Sequence, residues 1–223
     1  RLRLRQDLLA NHVLGFPLHT LVYCRNSVTH GTLLERHLWS GQLPSEAIWE
    51  TDHGVQVTSP LFTLLTVAPC ASETQLVMMA YEMCSTFAVF KPSDPMEKAL
   101  KDAYASHQLP GDFGWKRSTN QKGEVTNLWQ RPPLIQIDDL LDYAESNRSL
   151  RGGKKLLNAA RQVSGVTASP FEVQASMLFG LSRRLGGEGL SCFENNYEIA
   201  LDQKAKKIMD KERVYADLHF VSA

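Results

Sequence analysis

Two acidic residues, Glu172 and Asp217, occupy sequence contexts from which a carboxylate could do chemistry. Glu172 is the one early acid of an apolar segment that opens with Ser169 and Pro170, and Asp217 interrupts a second apolar segment. Carboxylate oxygens are ligands that Mg²⁺ prefers, and such an ion can activate a water and neutralise a phosphodiester. We therefore consider a site in which Glu172 and Asp217 are ligands of a divalent cation, Mg²⁺ or Mn²⁺.

Each acid also has a purely structural explanation. Ser169 as N-cap, Pro170 as the first helical residue and Glu172 two positions later have the spacing of a capping box, so Glu172 could simply close a helix start. Asp217 alternates with apolar residues, as a solvent-facing strand residue does. Taken singly, each pattern favours the structural role. A helix followed by two strands can nevertheless bring the two acids to one cation.

The elements that must position these acids follow from the apolar periodicity. Ser169 and the apolar stripe after it predict a helix over 169–184. Alternation in 194–202 and in 212–221, with a polar connection between them, predicts an antiparallel pair of strands.

The upstream part of the chain has its own start signals. Residues 17–25 have strand composition, Ser59 with Pro60 predicts a helix start, and Ser72 predicts a helix over 73–90. Residues 106–131 are polar and rich in Gly and Asn, which predicts a loop or linker.

These elements predict an α/β protein of the α+β kind. We expect an N-terminal α/β region over 1–105, a loop or linker over 106–131, and a C-terminal region of helices and a hairpin over 132–223.

The charge balance excludes a generally basic nucleic-acid coat, because 24 Lys and Arg residues match 24 Asp and Glu residues. Two local basic clusters remain, and they could meet phosphates by counterion release, although a solvated face is the common alternative. The candidate nucleic-acid-binding residues are Lys154, Lys155, Lys204, Lys206 and Lys207.

The remaining composition points to a cytoplasmic protein. The four cysteines are too far apart for a zinc knuckle or a redox pair, which favours reduced thiols. No apolar run reaches the about 20 residues of a membrane helix. The seven histidines are scattered, and no pair has the spacing of a metalloprotease motif.

The order of the C-terminal motifs resembles a group of uncharacterised bacterial proteins related to the very-short-patch-repair endonucleases. An upstream segment, "VTSPLFTLLTVA", is similar to one found in those proteins and in abortive-infection antitoxins, and "YEMCSTFAVF" also fits the group. The likeness covers most of 55–90 and 134–220. The C-terminal positions that carry it are Ser169, Pro170, Glu172, Gly186, Gly187, Gly189, Leu190, Asn195 or Asn196, Tyr215, Asp217 and Leu218.

The resemblance implies a restriction-endonuclease-like fold, a metal-dependent nuclease acting on nucleic-acid phosphodiesters, with DNA favoured over RNA, and Glu172 and Asp217 in the position of the catalytic nuclease acids. It also shows a departure. The family carries its next acid on a following strand, whereas this sequence ends at Ala223, so we expect a C-terminal truncation. Two alternatives therefore stay open: a non-catalytic, antitoxin-type nucleic-acid-binding regulator, and an interaction module on a degenerate nuclease fold.

Overall fold

A computed structural model describes most of the chain. The described residues are 17–28, 31–32, 34–51, 54–106, 114–190 and 193–220. The residues mentioned above that lie outside these ranges include Cys192, Ala223 and the histidines at positions 12, 30, 53 and 107.

The described residues form seven α-helices and nine strands. The helices are α1 (Pro60–Val67), α2 (Glu73–Cys84), α3 (Asp94–Ala105), α4 (Ile137–Ser146), α5 (Gly153–Ala160), α6 (Pro170–Gly180) and α7 (Gln203–Met209). The strands are β1 (Leu18–Val22), β2 (Leu34–Leu38), β3 (Ile48–Glu50), β4 (Gln56–Thr58), β5 (Phe87–Val89), β6 (Lys116–Thr119), β7 (Val125–Gln130), β8 (Phe193–Ala200) and β9 (Arg213–Phe220).

The strands form small sheets. β1 and β2 are parallel, β3 and β4 are antiparallel, β5, β7 and β6 form an antiparallel sheet in that order, and β8 pairs antiparallel with β9. The protein is therefore an α+β protein, as its sequence predicts. The finer expectation of a restriction-endonuclease-like C-terminal half stays a prediction.

Contacts divide the chain into two compact units, which we describe separately. The first unit comprises residues 1–43 and 90–115 and holds β1, β2 and α3. The second unit comprises residues 44–89 and 116–223 and holds the other elements. The domain limits expected after residues 105 and 131 stay a prediction.

Serine caps begin the helices of the second unit where the sequence predicts them. Ser59 Oγ accepts the N–H of Phe62 at 3.3 Å, with Pro60 in the first turn. Ser72 and Gln75 form a full capping box, with bonds of 3.1 and 2.8 Å. Both predicted starts are confirmed, because a short polar side chain before an apolar run satisfies N–H groups that the helix leaves unpaired.

The end of α2 differs from the prediction of a helix over 73–90. The helix ends at Cys84, and residues 87–89 form β5 instead. A tertiary contact explains the stop: Ser85 Oγ lies 2.7 Å from Thr167 Oγ1, and the next N–H, of Thr86, donates to the Thr167 carbonyl at 3.0 Å. Serine and threonine compete readily with helical hydrogen bonds, so these contacts outweigh the apolar periodicity.

The expectation of a loop over 106–131 was wrong for its second half, which holds β6 and β7. The two strands join through a tight turn in which Asn120 Oδ1 accepts the N–H groups of Lys122 and Glu124, both at 2.9 Å. Trp129 of β7 is 7% exposed and anchors the strand in the unit. The polar composition of this segment did not indicate β7, because only one of its residues is buried.

The core of the second unit is helical. α2 contacts α1, α5 and α6, and its inward face is fully buried. Each leucine of such a face contributes roughly 1.5–3 kcal/mol through burial. The central buried side chains are Phe62, Leu64, Leu65, Leu76, Val77, Ala80, Tyr81, Leu140, Leu156 and Val173. None of the helices in the described residues has the length and apolar character that a bilayer crossing requires.

Candidate functional site

Glu172 forms the N-terminal cap of α6 together with Ser169. Ser169 Oγ accepts the Glu172 N–H at 3.3 Å, and its own hydroxyl donates to Glu172 Oε1 at 2.8 Å. Glu172 Oε2 accepts the backbone N–H of Ala168 at 2.8 Å. The predicted cap is confirmed with one difference: the carboxylate reaches the N–H of Ala168 rather than that of Ser169. The helix then runs to Gly180 rather than to residue 184.

Both oxygens of Glu172 are engaged, and the residue is only 9% exposed. A carboxylate oxygen keeps a second lone pair after accepting one hydrogen bond. Glu172 thus retains a limited capacity to bind a cation while it closes the helix.

Asp217 lies on β9 of the predicted hairpin, which the structure confirms. β8 and β9 pair from Phe193 opposite Phe220 to Ala200 opposite Arg213. The neighbours of Asp217 pair with the neighbours of Asn196, so the register places Asp217 opposite Asn196. The Asp217 side chain is exposed.

The two acids belong to packed elements, but Asp217 does not lie on the packed face. Phe220 meets Phe179 of α6 edge to face, with centroids 5.5 Å apart. Side chains alternate along a strand, so Asp217 lies on the face of β9 opposite to Phe220. Among the described residues, no group of three or more His, Cys, Asp or Glu side chains could hold a metal. The paired site of Glu172 and Asp217, with Mg²⁺ or Mn²⁺, therefore stays a prediction.

A chain of polar side chains ties the base of the hairpin to the helical core. Asn195 Nδ2 donates to Ser164 Oγ at 2.9 Å, and Ser164 Oγ lies 2.8 Å from the hydroxyl of buried Tyr81 on α2. Asn195 Oδ1 lies 2.6 Å from Ser176 Oγ on α6. Asn195 thus ties β8 to α6 directly and to α2 through Ser164.

The neighbouring Asn196 adds a second tie at an irregular point of the strand. Its Nδ2 donates to the carbonyl of Val166 at 2.8 Å, and its φ of 51° is left-handed. Asparagine tolerates that region better than most residues do. The resemblance left Asn195 or Asn196 open, and in the structure both side chains form hydrogen bonds to other segments.

His219 packs on the hairpin rather than pointing freely into solvent. Its ring stacks on Tyr197, with centroids 3.9 Å apart and planes at 16°. Its Nδ1 is buried and has no hydrogen-bond partner in the described part of the chain. The ring therefore contributes contact area between β8 and β9.

The basic cluster around Lys154 and Lys155 is partly structural. Lys155 Nζ donates to the carbonyl of Ala71, between α1 and α2, whereas Lys154 is exposed. A Cβ on Gly153 would collide with the carbonyl oxygen of Asn147, so this start of α5 is closely packed. Lys155 helps to hold α5 in place, and binding of nucleic acid by either lysine stays a prediction.

The second basic cluster is an open surface at the far end of the hairpin. α7 connects β8 to β9, begins at an Asp202 cap, and contains Lys204, Lys206 and Lys207 but no acid. All three lysines are exposed, and none forms an ion pair within the described residues. We call these three lysines together with Ile208, which is 76% exposed, the tip surface.

A cleft of about 470 Å³ lies elsewhere in the second unit. Its walls include half-exposed Trp49, the carboxylates of Asp139 and Asp142, and Tyr143. Burial raises the pKa of Tyr143 to about 12, so the phenol is neutral at physiological pH. No periodicity or motif in the sequence indicated this cleft.

Comparisons of the chain with protein-family models, with curated proteins and with solved structures find no match. The functional argument therefore rests on the geometry of the chain itself.

Proposed function

We propose that the protein binds nucleic acid through the tip surface of the β8–β9 hairpin, with DNA as the favoured ligand. One observation carries the proposal: the seven-residue helix α7 contains three exposed lysines and no acid. The free thiols of Cys24, Cys70 and Cys84 suit a reducing compartment, so we place this binding in the cytoplasm.

The physical basis is local, because the whole chain has zero net charge. Lysines that neutralise phosphates release condensed counterions from DNA, and that release supplies most of the affinity in non-specific binding. Tyr215 on the adjoining strand is 58% exposed and gives an aromatic face on which an unpaired base can stack. The lysines of the tip surface therefore suit phosphates, and Tyr215 beside them suits the bases of a single strand.

Neighbouring acids limit the net positive charge of this surface. Asp202 is held at the cap of α7, and Glu198 pairs with Arg213 at 2.9 Å. Residues 202–213 contain five cations and three acids, so the surplus positive charge lies on α7 itself. The proposal therefore predicts moderate, salt-sensitive binding.

Removing the three α7 charges should weaken DNA binding. We expect Lys204→Ala/Lys206→Ala/Lys207→Ala to lose about tenfold or more in affinity at low salt, because three phosphate contacts disappear. Fluorescence anisotropy of a labelled duplex measures the effect, with a single strand and an RNA duplex as comparison ligands.

The matched control removes the same charge from elsewhere. Lys91, Lys98 and Lys122 are exposed and lie outside the hairpin. Their triple alanine variant should bind DNA as the unchanged protein does. Equal affinity of the α7 variant and the unchanged protein would refute the proposal.

We propose metal-dependent cleavage of nucleic acid as a second candidate function, on a separate observation. Glu172 lies on α6 and Asp217 on β9, and these elements pack together through Phe179 and Phe220, although strand alternation places Asp217 on the other face of β9. Glu172 would bind Mg²⁺ or Mn²⁺ through the lone pairs that its cap bonds leave unused. Any cap bond that the cation displaces would cost only about 0.5–2 kcal/mol.

Asp217→Asn tests this second candidate. Metal-dependent cleavage of plasmid DNA should fall about 100-fold or more, because a neutral amide replaces a ligand of the cation that activates the water. DNA binding through α7 should stay intact. Asp102→Asn, at an exposed acid of α3, is the control. Cleavage that persists in Asp217→Asn, or no cleavage by the unchanged protein with either metal, would remove the catalytic role.

A further inference from the structure

Two histidines of the first unit meet across a pair of parallel strands. The register of β1 and β2 places His19 opposite Glu35 and Leu21 opposite His37. Residues two apart on one strand share a face, so both histidines lie on the same face of the pair. They are 18 residues apart in the chain, which is why no sequence motif links them.

The two imidazole rings are joined through their nitrogens. His19 Nδ1 lies 2.8 Å from His37 Nε2, the ring planes differ by 14°, and the centroids are 5.1 Å apart. Nearly parallel planes with so short a nitrogen–nitrogen distance mean that the rings meet edge to edge rather than face to face. The two nitrogens therefore face each other along the line that joins the ring centres.

We propose that His19 and His37 form a binding site for a divalent transition-metal ion, with Zn²⁺ as the reference case. Neutral imidazole is the commonest protein ligand for such ions. A tetrahedral Zn²⁺ with bonds of about 2.0–2.1 Å holds two ligand nitrogens roughly 3.3 Å apart. The present pair must open by about half an ångström, and each ring must tilt by roughly 35° so that its lone pair points at the ion; two exposed side chains achieve this by rotation.

The shared proton does not obstruct this site. In the hydrogen-bonded pair one ring presents an N–H between the two nitrogens, and that ring changes to its other tautomer when the metal binds. The outer nitrogen then carries the proton, so each neutral ring keeps one N–H.

The site has two protein ligands in the described part of the chain. Since no third His, Cys, Asp or Glu there completes a metal-binding group, water fills the remaining positions. Such a site is open, unlike the four-ligand structural zinc sites that close around the ion. Affinity should follow the usual order of divalent metals, with Cu²⁺ above Ni²⁺ and Co²⁺.

Calorimetric titration of the tag-free, full-length protein with Zn²⁺ tests the proposal, and the absorption spectrum of bound Co²⁺ reports on imidazole ligation. The unchanged protein should bind one equivalent at this site. His19→Gln and His37→Gln should each weaken that binding at least tenfold, because each removes one of two ligands. Glutamine preserves polarity at these exposed positions, and circular dichroism checks the fold.

The control is His219→Gln, which alters a histidine of the second unit and should leave the affinity unchanged. Wild-type affinity in both His19→Gln and His37→Gln would overturn the proposal, since the metal would then bind elsewhere in the chain. Absence of Zn²⁺ uptake by the unchanged protein would overturn it as well. Neither outcome bears on DNA binding by α7.

Discussion

Replacing Arg131 by alanine should lower the free energy of unfolding by about 3–5 kcal/mol, through lost charged hydrogen bonds and unpaired carbonyls. Arg131 is 4% exposed and follows β7. Its Nη2 donates to the carbonyl of Glu82 at 2.7 Å, and its Nη1 donates to those of Ser85 and Pro132 at 3.2 and 2.8 Å. Alanine leaves three acceptors without this donor.

The charge of Arg131 has its own effect. Burial lowers the pKa of the guanidinium, and the nearby Glu82 carboxylate opposes that shift. The group remains a cation at neutral pH, because arginine starts from so high a pKa. It sits at the C-terminal end of α2, where the helix dipole favours positive charge.

Urea unfolding followed by far-ultraviolet circular dichroism measures the Arg131 effect. Arg148→Ala is the control: this arginine is exposed and pairs with Glu145 at 2.9 Å, so its loss should cost less than about 1 kcal/mol. Arg131→Lys should recover part of the stability, since it keeps the charge but not the fork of donors. If Arg131→Ala proved as stable as Arg148→Ala, the three carbonyl bonds would not matter for folding.

Gly187→Ala should destabilise the protein by about 3 kcal/mol, the upper part of the usual range for overpacking. A Cβ on Gly187 would collide with the carbonyl oxygen of Leu181, and it would lie 2.7 Å from that carbonyl carbon. Backbone cannot rotate away as a flexible side chain does. The turn itself caps α6, since the N–H groups of Gly189 and Leu190 donate to Leu181 and Phe179 at 2.9 and 2.8 Å.

The adjacent Gly186 supplies the matched control. Its φ is 91°, and nothing lies within 4 Å of a Cβ built there. Gly186→Ala should therefore lower the free energy of unfolding by only about 1–2 kcal/mol, the cost of placing alanine in the left-handed region. Thermal or urea unfolding of both variants should rank Gly187→Ala as the less stable. The reverse order would mean that the turn relaxes around the new methyl group.

Local signals in the sequence were sufficient for the elements around the candidate site. Ser169 with Pro170 marked the start of α6, and alternation over 194–202 and 212–221 marked the hairpin. Each of these signals depends on residues that are near in the chain. A helix cap or a hairpin register can therefore be predicted without knowledge of the rest of the fold.

Contacts between distant segments could not be predicted in the same way. The stop of α2 depends on Thr167, and the pairing of His19 with His37 depends on the register of two parallel strands. Whether Glu172 and Asp217 converge depends on how the hairpin docks on α6, a packing angle that no local pattern contains. The order of helix and strands suggested the convergence, but strand alternation places Asp217 away from the packed face.

The salt dependence of DNA binding tests the central claim most directly. Each phosphate contact contributes about 0.9 to the slope of log K against log salt concentration, so Lys204→Ala/Lys206→Ala/Lys207→Ala should flatten that slope by roughly 2–3 units. The variant lacking Lys91, Lys98 and Lys122 should keep the slope of the unchanged protein. A slope that is the same in all three proteins would show that α7 does not contact the phosphates.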